Sequence, residues 1–228
     1  MTRIYLIRHA EAEGNIKRTF QGHKNGDVSE NGERQLLLLR ERCRDLHFDV
    51  VCSSPLKRTY KTAQAANYYH NKPIATLVGL MEINGGCWEG CHWDELPALY
   101  PEQNELWIHE PWNFKTEGGE SMREVYDRIW ETVTGIVRQN EGKSVCVVSH
   151  GCAIRNFLCR ALSRELEKIN SVPWCDNTAI SIIDFDEKLN PKIVLLNDAS
   201  HLDRETSTLA NQDWWKDFEP TESEKLCE

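Results

Sequence analysis

Arg3-Ile4-Tyr5-Leu6-Ile7-Arg8-His9-Ala10-Glu11-Ala12-Glu13-Gly14-Asn15 is an apolar, partly β-branched run that stops on two cationic side chains and dissolves into a polar, glycine-containing segment. Such a run reads as a buried strand that delivers Arg8 and His9 to its C-terminal edge. In open α/β sheets that edge is where ligands bind. A guanidinium grips phosphate or carboxylate with two parallel hydrogen bonds, and an imidazole beside it can act as nucleophile or proton carrier near neutral pH. Taken alone, an Arg-His pair after a strand is equally the start of an ordinary charged surface, so the decision falls to the rest of the chain.

Two further stretches repeat the pattern. Phe48-Asp49-Val50-Val51-Cys52 reads as a short strand followed by Ser53-Ser54-Pro55-Leu56-Lys57-Arg58, with Ser54 as a helix cap and Pro55 as the first helical residue. Arg58 then sits in a first helical turn, where backbone N–H groups already favour anions. Ser144-Val145-Cys146-Val147-Val148 is the most strand-like run of all and ends in Ser149-His150-Gly151, with a helix expected through Ile154 to Leu162. Other elements follow the same logic. A helix capped by Ser29 runs to about Cys43 or Asp45, a strand covers Ile74 to Val78, and a long amphipathic helix starts after Gly118-Gly119-Glu120-Ser121. Two last strands, Thr178 to Phe185 and Lys192 to Leu196, are placed to form a hairpin across Asn190-Pro191. Strands alternating with helices imply a largely parallel sheet, with Arg8, His9, Arg58 and His150 at one edge.

The whole-chain properties narrow the class. The chain has 228 residues, enough for one sizeable α/β domain, with no linker-like or repetitive stretch. A formal net charge of −9 argues against nucleic-acid binding through a basic face, so any cationic pocket must be local. The first strand begins almost at Met1, which leaves no room for a signal peptide, and no apolar stretch approaches membrane-spanning length; the expected location is the cytoplasm. Nine scattered cysteines read as reduced thiols rather than a disulfide framework. Cys87, Cys91 and His92 lack a second ligand pair at zinc spacing and read as structural. Residues 203–228 carry eight acidic and three basic side chains, which marks an acidic, solvated C-terminal tail after a domain of residues 1–202; Trp214, Trp215 and Phe218 suggest that part of it docks. The stretch from about 87 to 119, with Trp93, Trp107, Trp112 and three prolines, reads as short helices forming a lid. Its aromatics are packing residues first, with the alternative that one lines the substrate mouth.

Taken together, Arg8-His9-Ala10-Glu11 through Asn15, Gln21-Gly22, Ser53-Ser54-Pro55-Leu56-Lys57-Arg58-Thr59 with Thr62-Ala63, Glu82 before Trp88-Glu89-Gly90, Gly119-Glu120-Ser121, and Ser149-His150-Gly151 with Ile154-Arg155 resemble the histidine phosphatase superfamily, the phosphoglycerate-mutase-like enzymes. The resemblance spans most of residues 3–185. It implies a three-layer α/β/α sandwich and a metal-independent phosphohistidine mechanism, with no cofactor. His9 would be phosphorylated, Glu82 would donate the proton, and Arg8, Asn15, Arg58 and His150 would hold the phosphoryl oxygens. Gln21, Gly22 and Gly151 would complete the pocket, and no residue is expected to bind a metal. The partner implied is a small phosphorylated metabolite, bound by a monomer or homodimer without nucleic acid or membrane. Two positions depart from the usual family pattern: Ala10 stands where Gly is more common and Ala12 where Thr or Ser is, which bears on substrate choice more than on catalysis. Mutases and phosphatases share this pocket. An acidic, Trp-rich Cys87–Gly119 segment favours water as the phosphoryl acceptor over a retained bisphosphate. The remaining alternative is a catalytically silent phosphate- or partner-binding module, against which stands the joint presence of His9, Glu82 and His150.

Overall fold

A computed structural model describes residues 1–212; Trp214, Trp215 and Phe218 lie outside the described residues. The run around Leu6 forms β1 (Thr2–Arg8), buried along almost its whole length. It is followed by a single turn, α1 (Glu13–Ile16), and by α2 (Glu30–Cys43), whose cap is Ser29: the hydroxyl accepts the Gly32 N–H. Then come β2 (Val50–Ser53), α3 (Lys57–Ala66) and the short β3 (Ile74–Thr76). Two small helices, α4 (Leu96–Leu99) and α5 (Pro101–His109), precede the long α6 (Met122–Gln139), β4 (Ser144–Ser149) and α7 (Gly151–Ala161). A hairpin of β5 (Ile180–Phe185) and β6 (Pro191–Asp198) closes the sheet.

Among the described residues the sheet has six strands in the order β3-β2-β4-β1-β5-β6. The first four run parallel, while β5 is antiparallel to β1 and β6 to β5. Period-two alternation divides the core. Ile4, Leu6, Val145 and Val147 face α6 and α7, with Ile129, Val133, Phe157 and Leu158 packed against them. Tyr5, Ile7, Cys146 and Val148 face α2 and α3, against Leu39, Cys43, Ala63 and Ala66. That is the expected three-layer sandwich. Burial on both faces is why the central strands read as continuous apolar runs instead of alternating ones.

Several boundaries differ from expectation, β2 and β6 by a residue or two at their ends and others for a tertiary reason. Helix α3 starts at Lys57, two residues beyond Pro55, because the Ser54 hydroxyl lies 2.8 Å from His150 Nε2 and only 3.4 Å from the Leu56 N–H; it serves the histidine rather than capping the helix. The β3 strand stops at Thr76, and residues Val78–Leu80 form a 3-10 turn. Thr178 and Ala179 precede β5: Thr178 holds a left-handed φ of 62° while its N–H donates to the Arg8 carbonyl. The eight described cysteines are free, six of them buried. Among the described residues no helix is long and apolar enough to cross a membrane.

The aromatics of residues 87–119 join the core on the α6–α7 side of the sheet. Trp88 and Phe114 are fully buried, and Phe20, Trp93 and Trp107 surround them with ring centroids 4.8–6.4 Å apart. Further along, residues 203–212 lie on the body of the protein. The Thr208 hydroxyl donates to Glu11, the Gln35 amide donates to the Thr206 carbonyl, and the Asp176 carboxylate accepts the Thr208 and Leu209 N–H groups.

Candidate active site

Sheet register brings the three βα junctions together. Arg8 pairs with Ser149 and Ser53 with Val148, so the residues just beyond these strands, His9, Ser54 and His150, emerge side by side. The His9 and His150 rings lie 5.2 Å apart between centroids. A cavity of about 260 Å³ opens over this edge, walled by Arg8, His9, Asn15, Gln21, Gly22, Arg58, Glu82 and Gly151 among others. His150 is fully buried and stands beside His9 rather than in the cavity wall.

Each side chain has a defined electrostatic state. His9 Nδ1 is 2.7 Å from the Ala10 carbonyl, which can only accept; Nδ1 therefore carries the proton and Nε2 keeps its lone pair. Burial pushes His9 well below the ordinary histidine value, Arg58 and Arg8 push it further, and the Ala10 hydrogen bond opposes them weakly. The result is a neutral imidazole with a free nitrogen at neutral pH, which is what a nucleophile needs. His150 is likewise held neutral, by burial first and then by Arg58, His9, His23 and Arg128. Its Nδ1 has no hydrogen-bond partner among the described residues.

The two arginines are oriented by backbone carbonyls. Arg8 Nη1 donates to the Cys175 carbonyl at 2.5 Å, and Arg58 Nη1 and Nη2 donate to the Lys24 and Gly22 carbonyls at 2.7 and 2.8 Å. In both the Nε–H is buried without a partner among the described residues. Burial lowers Arg58 to about 10, partly offset by Glu82 and Glu89, so it stays cationic near neutral pH. Gly22 has a φ of 48°, and a Cβ there would lie 2.3 Å from the Glu89 carboxylate; glycine is required on both counts. At Gly151 a Cβ would lie 3.3–3.4 Å from the Arg8 guanidinium, so its absence lets the arginine lie against the start of α7.

Glu82 leaves the loop after β3 and points at the N-terminus of α7. One carboxylate oxygen accepts the Ile83 and Ala153 N–H groups, both at 3.0 Å, and the other accepts Cys152 N–H at 3.1 Å. Asn15 Oδ1 accepts the Ala12 N–H at 3.0 Å, so its carbonyl end closes the capping turn. The methyls of Ala10 and Ala12 are both fully buried, and the Ala10 N–H donates to the Thr62 hydroxyl.

All nine residues singled out from the sequence are thus gathered at one edge. Others were not foreseen. Asn177 donates its amide to the His9 carbonyl at 2.7 Å, and His23 brings Nε2 within 2.9 Å of the Glu82 carbonyl. Trp174 and Gln212 wall the mouth, together with Trp93 and Trp107 from the stretch whose aromatics offered that alternative. Nothing local to Asn177, Trp174 or Gln212 in the sequence marks them, since each reaches the pocket from a distant segment. Among the described residues no cluster of three or more His, Cys, Asp or Glu side chains is disposed to hold a metal ion.

The site therefore combines a free imidazole nitrogen, cationic donors and a carboxyl group around a small cavity, which suits phosphoryl transfer. A family model described as "Histidine phosphatase superfamily (branch 1)" matches residues 4–199. Phosphoserine phosphatase 1 of Hydrogenobacter thermophilus is 36% identical over 202 residues, covering 89% of this chain and 95% of that protein. A protein named probable phosphoglycerate mutase GpmB, from Citrobacter koseri, is 30% identical over 217 residues, covering 89% of this chain and 96% of its own length. Among solved structures, Bacillus stearothermophilus YhfR superposes with a TM-score of 0.84 at 27% identity, over 88% of this chain and 99% of that one.

Proposed function

The chain belongs to the histidine phosphatase superfamily, and on that premise we propose that it hydrolyses small phosphomonoesters through a phosphohistidine formed on His9. The observation that carries this reading is the His9 ring: its Nδ1–H is tied to the Ala10 carbonyl, leaving Nε2 unprotonated in a site whose Arg8, Arg58 and His150 donors have no partner among the described residues. In the first step Nε2 attacks phosphorus, and the P–O bond to the alcohol breaks with its electron pair leaving on oxygen. The Arg8 and Arg58 Nε–H groups hold the equatorial oxygens from the cavity wall, and the buried His150 Nδ1–H beside His9 is the further donor open to the phosphoryl group once it is bonded to Nε2. His150 presents that proton when the Ser54 hydroxyl donates to its Nε2. Glu82 gives its proton to the departing oxygen. In the second step Glu82 takes a proton from water, the oxygen attacks phosphorus, and the N–P bond breaks to regenerate His9.

Residues 1–202 form the phosphatase domain in this reading, with the stretch at about 87–119 as its lid and 203–228 as an acidic tail. The lid lends the cavity Trp93, Asp94, Pro97, Asn104, Trp107 and Ile108, none of them basic, and Arg18, the third arginine of the wall, is paired with Asp94 at 2.9 Å. This favours hydrolysis over mutase chemistry. Phosphoserine and the glycerate phosphates are the first substrates to try, since relatives carry those names. The cytoplasm is the proposed location.

Rapid quenching with a ³²P-labelled substrate tests the mechanism. An acid-labile, base-stable label should appear in the wild-type protein and vanish in His9→Ala, and turnover should survive EDTA. Label retained in His9→Ala would overturn the assignment, and activity abolished by chelation would require a metal-assisted route.

A further inference from the structure

The loop that carries Glu82 is held by an arginine with no part in the chemistry above. Between β3 and the lid, residues 77–85 contain one 3-10 turn and otherwise irregular backbone, which has little local hydrogen bonding of its own. Arg128, on α6, supplies what is missing. Its Nη1 donates to the Gly79 and Met81 carbonyls at 2.9 and 3.0 Å, and its Nη2 donates to the Glu82 carbonyl at 3.3 Å. The other edge of the guanidinium is fixed by Glu120, with Nε to Oε1 at 2.7 Å and Nη2 to Oε2 at 2.8 Å. Glu120 grips the same loop directly: Oε2 accepts the Asn84 N–H at 2.8 Å, and the Glu120 N–H donates to the Asn84 carbonyl at 2.9 Å.

We propose that Arg128, oriented by Glu120, is a positioning residue for the proton donor Glu82. The inference rests on the reading of Glu82 as the acid. The arginine's three carbonyl bonds end at Gly79, Met81 and Glu82, and Glu120 closes the far side at Asn84, so the clamp is centred on the acid rather than spread along α6. The carboxyl group itself is anchored on the other side, by the N–H groups of α7. The Glu82 backbone and side chain are thus fixed from opposite elements, and α6 and α7 together set where the proton is delivered. A general acid works only within hydrogen-bond reach of the departing oxygen, and a displacement of about 1 Å can cost about 10²-fold in rate. The planar fork is essential to the geometry: a lysine keeps the charge but cannot hold Glu120 with one edge and the carbonyls with the other.

The test is the leaving-group dependence of His9 phosphorylation, measured in single-turnover experiments with an alkyl phosphate and with 4-nitrophenyl phosphate. An alkoxide needs its proton in the transition state, whereas a nitrophenolate scarcely does. Arg128→Met is expected to slow the alkyl substrate by about 10- to 10²-fold while the nitrophenyl substrate changes by no more than about threefold. Arg128→Lys should show a smaller selective loss, and it carries the test if the Met variant does not fold. In a Glu82→Gln background, replacing Arg128 should add nothing to the alkyl loss, because the two act as a unit. Equal losses for both substrates, no loss, or additivity with Glu82→Gln would overturn the positioning role. Should Glu82→Gln itself discriminate nothing between the substrates, the acid assignment fails and the inference falls with it. That outcome is distinct from Arg128 failing alone.

Discussion

Acid should weaken this fold in a pH window where ordinary carboxylates do not titrate, because three imidazoles are folded in uncharged. Burial, followed by Arg58 and Arg8, pushes His9 well below its ordinary value; burial, followed by Arg58, His9, His23 and Arg128, does the same to His150. Burial lowers His201 to about 4, against a small opposing pull from Asp198. In the unfolded chain each returns to about 6.5. Below that pH the unfolded state binds protons that the folded state refuses, so stability falls as pH falls. Above it the contribution is fully present. The slope is about 1.4 kcal/mol per pH unit for each fully buried group. Between pH 7.5 and 5.5, His9 and His150 together should cost roughly 2–3 kcal/mol, with a smaller share from the partly exposed His201. Against a typical total of about 5–15 kcal/mol, this is a large fraction. Urea titrations at half-unit pH steps, followed by tryptophan fluorescence, should show the midpoint falling through this window with little change in the steepness of the transition. Inorganic phosphate should flatten the dependence, since a bound anion favours the charged form of His150. His201→Gln should remove only its own share. A midpoint constant from pH 7.5 to 5.5, or one rising on acidification, would refute the claim that these rings are buried neutral.

Three further outcomes follow from the geometry. Arg58→Lys keeps a charge but cannot reach the Gly22 and Lys24 carbonyls and still face a phosphate, so loss of one charge-assisted bond of about 1.5–3 kcal/mol should lower kcat/KM about 10- to 100-fold in steady-state assays. Trp88→Ala should cost about 3–5 kcal/mol in denaturant unfolding, because the ring is fully buried among Phe20, Trp107 and Phe114, and the remaining aromatics cannot close the space. With 3-phosphoglycerate, the purified protein should release phosphate or do nothing. Efficient equilibration with 2-phosphoglycerate, primed by 2,3-bisphosphoglycerate and read by coupled assay, would show that the lid retains a bisphosphate after all.

What could be read from the sequence is what local chemistry encodes. Arg8 and His9, Arg58 and His150 each close a strand, and once the strands are taken as parallel their juxtaposition needs no long-range information. The Ser29 cap and the hairpin at Asn190-Pro191 are equally local, and both form as expected. Ser54 marks where this reasoning stops. By propensity it is a helix cap, yet its hydroxyl is used by His150, 96 positions away, and the helix starts late in consequence. The same holds for Asn177, which braces the His9 backbone from 168 positions away, and for Arg128, which looks like any arginine on an amphipathic helix until the loop it clamps is folded against it.

These unread residues share a task. His9, Arg58 and Glu82 are recognisable because few side chains could carry out the chemistry proposed for them, but the groups that aim them are chosen by reach, and several side-chain types could reach. The Arg58 guanidinium is held by the carbonyls of Gly22 and Lys24, the His9 ring by the carbonyl of Ala10, and the Glu82 carboxylate by three backbone N–H groups. Backbone groups leave no trace in residue identity except where glycine is forced, as at Gly22. A sequence can therefore name the reacting groups of such a site and still omit most of what fixes their positions. Substrate choice depends on those positions, and on the walls contributed by Trp93, Trp107, Trp174 and Gln212, so it is the property least legible from the motifs alone.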